Sequence, residues 1–73
     1  MSKFSGLSGQ DLVHALRRLG FVEVRISGSH LLMRNKSRTC VVPLHRELKR
    51  GTLFGVLRQA GVNIAEFEHA LRH

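Results

Sequence analysis

One histidine, His30, stands directly after a Gly-Ser pair and at the start of an apolar run in RISGSHLLMRN, residues 25–35. An imidazole can accept a proton and return it near neutral pH, as general acid–base catalysis requires. Four cations lie near it in the sequence and could stabilise negative charge beside the ring: Arg25, Arg34, Lys36 and Arg38. A histidine in a hairpin is more often a surface or turn residue, so this spacing alone does not assign catalysis.

The charge of the chain indicates what kind of partner such a site would meet. Twelve Lys and Arg against five Asp and Glu give a formal net charge of +7 in 73 residues. This excess attracts polyanions, of which the phosphate backbones of nucleic acids are the commonest in a cytoplasm. The chain has no Trp or Tyr, and its four Phe fit a core or helix ends, so no platform for stacking bases is predicted. A basic surface would also suit an acidic protein partner, and that alternative stays open.

RNA is the nucleic acid that such a site could cleave with the fewest catalytic groups, because RNA carries its own nucleophile, the 2′-hydroxyl. Cleavage then needs a base, stabilisation of the charge on the phosphate, and in-line geometry. His30 would be the base, while Gly28 would let a backbone approach closely and Ser29 would offer a hydroxyl or an amide to a phosphate oxygen. The five carboxylates are scattered along the chain, so neither a metal site nor a cofactor is predicted.

Two further groups could complete this chemistry. His45 follows the third predicted strand, and it could transfer a second proton if its loop folds back over the sheet. Lys49 and Arg50 precede a predicted helix N-terminus, where unpaired backbone amides favour anions, so they could cradle a phosphate. For both features the simpler alternative is a solvated loop.

The single cysteine, Cys40, excludes an intramolecular disulfide and a zinc site built on cysteine pairs. One unpaired thiol favours a reducing compartment, and no apolar run is long enough for a signal peptide or a membrane span. A chain of 73 residues can bury one compact core. We therefore expect a single cytoplasmic domain over residues 1–73, with no membrane contact.

Capping signals and hydrophobic periodicity predict the elements that would position these groups. Ser8 and Asp11 have the spacing of a capping box, and the apolar face that follows predicts a helix that ends at Gly20. Tight loops then separate three short strands, which implies an antiparallel meander. These strands should span residues 22–27, 30–34 and 38–42.

Two helices should follow the strands. The first should begin near Gly51 and end at Gly61, and a shorter one should open with a cap at Asn63. The order α-β-β-β-α, with an extra terminal helix, predicts a two-layer α+β domain. Helices on one face of a three-stranded antiparallel sheet would leave the other face exposed to solvent.

The parity of the second strand decides which side chains share that exposed face. With Leu31 in the core, His30 and Arg34 point to solvent, and Arg25 joins them from the first strand. The opposite assignment, with Leu32 inside, would bury His30. The first strand should be half-buried because apolar and polar residues alternate along it. Its inward residues would be Val22, Val24 and Ile26.

Several short motifs follow one another over most of the chain, from about Gly6 to Phe67. They are Leu19-Gly20-Phe21, Arg25-x-x-Gly28-Ser29-His30, Pro43-x-His45, Gly51-Thr52-Leu53 and Leu57-x-x-Ala60-Gly61. In this order and at these separations, the motifs resemble the HicA family of toxins from bacterial and archaeal toxin–antitoxin systems.

The resemblance implies the toxin component of a type II toxin–antitoxin system. Such a toxin is an mRNA interferase, a metal-independent endoribonuclease that cleaves mRNA with a single catalytic histidine. That histidine would be His30, and a HicB-type antitoxin would bind the toxin and cover the site. The implied double-stranded-RNA-binding-domain-like fold agrees with the predicted order of elements. The alternative is a non-catalytic module of the same fold, which would read A-form RNA through phosphate and 2′-hydroxyl contacts.

Overall fold

A computed structural model describes residues 4–72, whereas residues 1–3 and 73, which the single-domain prediction included, lie outside the described part. The elements follow in the order α1 (Gly9–Arg18), β1 (Val22–Ser27), β2 (His30–Asn35), β3 (Arg38–Pro43), α2 (Arg50–Ala60) and α3 (Ile64–Arg72). The strands form one sheet in the order β1-β2-β3, and both pairs are antiparallel. The predicted α+β layout is therefore confirmed.

The helix ends carry the predicted caps. At α1 the amide of Ser8 donates to Asp11 Oδ2 at 2.9 Å, and the amide of Asp11 donates to Ser8 Oγ at 3.0 Å. This exchange is a capping box, and the same exchange joins Asn63 and Glu66 ahead of α3. Gly61 ends α2 in the left-handed conformation with a φ of 69°. Local signals in the sequence thus determine where α1 starts and α2 stops.

The core lies between the helices and one face of the sheet. Leu31 and Met33 of β2 are buried, as are Cys40 and Val42 of β3. They belong to one cluster with apolar residues from all three helices, among them Leu12, Leu16, Leu53, Leu57 and Phe67. Both α1 and α2 pack against β3, and α3 packs against α1. The opposite face of the sheet therefore stays open.

The prediction that β1 is half-buried is wrong, because all six of its residues are exposed. β1 is the sheet edge farthest from β3, and a β-bulge after Glu23 shifts its register. The extra residue interrupts the alternation of side chains. Val22 consequently pairs with Arg34, whereas Ile26 pairs with the buried Leu31. The two apolar side chains therefore belong to opposite faces, and they are 61% and 59% exposed.

Candidate active site

The face of the sheet opposite the helices, here called the open face, surrounds the predicted catalytic histidine. It carries Arg25, His30, Leu32, Arg34 and Val41. Residues directly opposite each other on neighbouring strands share a face, and Leu32 pairs with both Arg25 and Val41. The prediction that His30, Arg25 and Arg34 share one exposed face is confirmed. The alternative in which Leu32 is a core residue and His30 is buried is wrong.

Two arginines of the open face lie at different distances from the imidazole. Ser27 is the direct partner of His30 on β1, so Arg25, two residues before Ser27, is the diagonal neighbour of His30. Diagonal neighbours lie about 7–8 Å apart. Arg34 is four residues further along β2, which corresponds to about 13 Å. Arg25 can therefore reach a group bound at His30, while Arg34 can contact a more distant part of an extended ligand.

His45 lies beside His30. The centroids of the two imidazole rings are 6.2 Å apart, and the ring planes meet at 71°. Both residues are exposed, so a ligand can approach the two rings from solvent. We refer to these two residues as the histidine pair. From the sequence, His45 could join the site only if its loop folded back over the sheet, and the loop after β3 does bring His45 beside His30.

Backbone hydrogen bonds hold the loop that carries His45. The amide of Leu44 donates to the carbonyl oxygen of Ser29 at 2.7 Å, which ties the loop to the turn before His30. The amide of Gly9, at the start of α1, donates to the carbonyl oxygen of His45 at 2.8 Å. A third bond joins the amide of Leu48 to the carbonyl oxygen of Leu7 at 2.7 Å. The position of His45 therefore depends on contacts with two segments that are distant in the sequence.

The Gly28-Ser29 turn is open to solvent. Gly28 has a φ of 60°, a left-handed conformation that favours glycine, and a Cβ built on it would meet nothing within 4 Å. Ser29 is exposed, and its carbonyl oxygen accepts the Leu44 bond described above. The turn thus leaves open space around its backbone beside His30.

His45 borders the N-terminus of α2. A cavity of about 330 Å³ is lined by Pro43, His45, Glu47, Leu48, Lys49 and Thr52. Lys49 occupies the cap position of α2 without a side-chain hydrogen bond to the first turn, and Arg50 begins the helix. Both cations are exposed. Lys49 of the predicted phosphate cradle therefore lines the same cavity as His45. Thr52 also lines this cavity, and the Glu47 carboxylate offsets part of the positive charge there.

Lys36 and Arg38 do not join this group. Both belong to the β2–β3 hairpin at the far end of the sheet, about 17 Å from His30 by strand length. Arg38 Nη1 donates to the carbonyl oxygens of Gly61 at 3.1 Å and Ala60 at 3.5 Å, so its guanidinium binds the C-terminal end of α2. The expected gathering of these two cations around the imidazole is therefore wrong, because the hairpin and the histidine lie at opposite ends of β2.

Cys40 takes no part in the candidate site. It is buried on the core face of β3, and burial raises the pKa of its thiol from 9.0 to about 11. The thiol therefore stays protonated and poorly nucleophilic at neutral pH. Within residues 4–72, no three His, Cys, Asp or Glu side chains are grouped so that they could hold a metal ion.

Residues 9–62, which are 54 of the 73 in the chain, match a family described as the HicA toxin of bacterial toxin–antitoxin systems. The chain belongs to the HicA toxin family. The matched segment of this HicA toxin runs from Gly9 through the histidine pair to Val62, two residues after α2.

Membership makes the protein the toxin component of a toxin–antitoxin system and implies a cognate antitoxin. A comparison with curated proteins gave no significant match. None of the helices within residues 4–72 has the length and hydrophobicity needed to cross a bilayer.

Proposed function

We propose that this HicA toxin is a metal-independent endoribonuclease that cleaves mRNA in the cytoplasm, with His30 as the general base. The observation that carries the proposal is the histidine pair, whose ring centroids lie 6.2 Å apart on an exposed surface. At this separation a single phosphodiester group can contact both rings. Two imidazoles suffice for the two proton transfers that the cleavage of RNA requires.

In the proposed reaction His30 removes the proton from the 2′-hydroxyl of the substrate. The 2′-oxygen then forms a bond to phosphorus while the bond from phosphorus to the 5′-oxygen breaks. His45 donates its proton to the departing 5′-oxygen. The products are a 2′,3′-cyclic phosphate on one fragment and a 5′-hydroxyl on the other, and the proton that His30 gained balances the proton that His45 lost.

The cations of the surface would hold the RNA and stabilise the charge that develops on the phosphate. Arg25 is the nearest arginine of the open face to His30, and the Gly28-Ser29 turn offers backbone amides beside it. Lys49 and the N-terminal amides of α2 would bind a neighbouring phosphate across the cavity shared with His45. Arg34 and Arg50 extend this basic surface in two directions.

The antitoxin would cover the open face. Leu32 and Val41 lie at its centre, where Val41 is 39% exposed, and the arginines lie around them. Partly exposed apolar side chains within a charged rim are typical of a protein interface. We infer that a HicB-type antitoxin of a type II system binds here, covering His30 and excluding RNA.

The proposal is tested by incubating the purified protein with mRNA in EDTA. We expect cleavage by the wild-type protein, fragments that end in a 2′,3′-cyclic phosphate, and intact RNA with His30→Ala. Cleavage that EDTA abolishes would contradict the metal-independent mechanism. Binding of RNA without cleavage, unchanged by His30→Ala, would support the non-catalytic module instead. An absence of RNA binding at moderate salt would support a surface that serves only a protein partner.

A further inference from the structure

We propose that Gly9 is a positioning residue for the ribonuclease reaction. Because it lacks a side chain, the first turn of α1 can close on the Pro43–His45 segment and fix His45 relative to His30. This role rests on the proposed function, because the proposed reaction requires the two imidazoles to be held at a fixed distance from each other. Gly9 touches neither ring and acts through the backbone of the loop.

The contact around Gly9 leaves no room for a methyl group. A Cβ built on it would overlap the carbonyl oxygen of Pro43 and would lie 2.8 Å from Leu44 Cα and 3.1 Å from the carbonyl carbon of Pro43. All three atoms belong to the backbone, so none can rotate away as a flexible side chain would. Gly9 is not among the described glycines with a positive φ. The position therefore demands glycine for space and not for backbone conformation.

The same contact connects directly to the histidine pair. The Gly9 amide donates to the His45 carbonyl oxygen at 2.8 Å, and the next residue back, Leu44, donates its amide to Ser29 at 2.7 Å. The loop is thus held between the start of α1 on one side and the turn that precedes His30 on the other. His30 is paired with Ser27 on β1 as well as with Pro43 on β3, so a displacement of the loop from α1 moves His45 more than it moves His30.

The size of the displacement follows from the contact distances. Ordinary contact between carbon atoms is about 3.5–4.0 Å, so relieving the 2.8 Å approach to Leu44 Cα requires a shift of roughly 1 Å. A misplacement of about 1 Å can cost on the order of 10²-fold in rate. We therefore expect Gly9→Ala to lower kcat for RNA cleavage by roughly 10- to 100-fold and to leave KM for RNA nearly unchanged.

Gly55→Ala is the matched control. Gly55 also lies in a helix, but a Cβ built on it would meet nothing within 4 Å. We expect this variant to cleave RNA at the wild-type rate and to be slightly more stable, because alanine is the better helix former.

A double-mutant cycle separates positioning from a general structural defect. If Gly9 acts through His45, Gly9→Ala should cause no further loss in a His45→Ala background. An equal loss in both backgrounds would overturn the proposal, and so would a Gly9→Ala variant that cleaves at the wild-type rate. Where Gly9→Ala fails to fold, chemical synthesis can replace the amide between Ser8 and Gly9 by an ester. The ester deletes the donor to His45 without adding volume, and we expect a loss of kcat in the same direction.

A measurement without RNA keeps the two proposals distinguishable. We expect a nuclear Overhauser contact between the ring protons of His30 and His45 in the wild-type protein and in Gly55→Ala, and its weakening in Gly9→Ala. If the wild-type protein shows the ring contact but cleaves no RNA, the proposed function fails while the positioning effect of Gly9 stands. If RNA is cleaved but the ring contact is unchanged in Gly9→Ala, the positioning role fails and the proposed function stands.

Discussion

Replacing His45 by alanine should remove the second proton transfer and leave the fold intact. The hydrogen bonds that hold the loop use the backbone of residues 44, 45 and 48, which alanine retains. The side chain itself is exposed, so we expect a change in the free energy of unfolding within about 0.5 kcal/mol. Loss of a general acid typically costs 10²- to 10⁴-fold, which corresponds to roughly 3–5 kcal/mol in the activation free energy.

The assay is single-turnover cleavage of one RNA at a mapped site. Replacing the bridging 5′-oxygen at that site by sulfur gives a leaving group that departs without a proton. We expect His45→Ala to cleave this substrate at nearly the wild-type rate.

Two results would refute this reasoning about His45. Unchanged cleavage of ordinary RNA by His45→Ala would show that the nearby ring transfers no proton. An equal loss on the oxygen and sulfur substrates would show that His45 contributes to RNA binding or to structure, because a missing acid matters only where the leaving group needs a proton.

Three further predictions concern groups around the site. Arg38→Met should remove the bonds to the end of α2, cost about 1 kcal/mol and lower Tm by roughly 4–8 °C in a calorimetric scan, while RNA cleavage stays unchanged. Lys49→Gln and Arg50→Gln should each reduce the slope of log Kd against log salt for RNA by about 0.7–0.9, and Arg58→Gln at the other end of α2 serves as the control whose slope should not change. Burial raises the pKa of Cys40 to about 11 from 9.0, so the unfolded chain loses this proton first and the free energy of unfolding should fall between those pH values by at most roughly 2–3 kcal/mol. Urea titrations should detect that fall relative to Cys40→Ala, and identical pH dependence in the two proteins would contradict it.

The parts of the fold that follow from local signals could be predicted from the sequence. The capping box of Ser8 and Asp11 acts within one turn, and Gly61 ends its helix through its own backbone conformation. The parity of β2 is also local, because the apolar positions 31 and 33 alternate with His30 and Arg34. The exposure of β1 could not be predicted, since the bulge and the edge position depend on how the whole sheet pairs.

The candidate site was predictable in part for the same reason. His30 and its open face follow from strand parity, but the approach of His45 depends on hydrogen bonds from Gly9 and to Ser29, which are distant in the sequence. The contact of Arg38 with the end of α2 had a signal in the sequence, because Arg38 has the same parity as Cys40 on β3 and so belongs to the helix side of the sheet, although it is exposed. The requirement for glycine at position 9 had no signal in the sequence, since only the folded chain brings α1 against the loop after β3.

The rate constant for single-turnover cleavage of a defined RNA in EDTA tests the catalytic role of His30 most directly. His30→Ala should lower this constant by about 10²- to 10⁴-fold, with RNA affinity and Tm close to those of the wild-type protein, because the side chain is exposed. Ser37→Ala, at the far hairpin, should leave it unchanged. Equal rate constants for wild-type and His30→Ala protein, or no cleavage by the wild-type protein, would contradict a ribonuclease that uses this histidine.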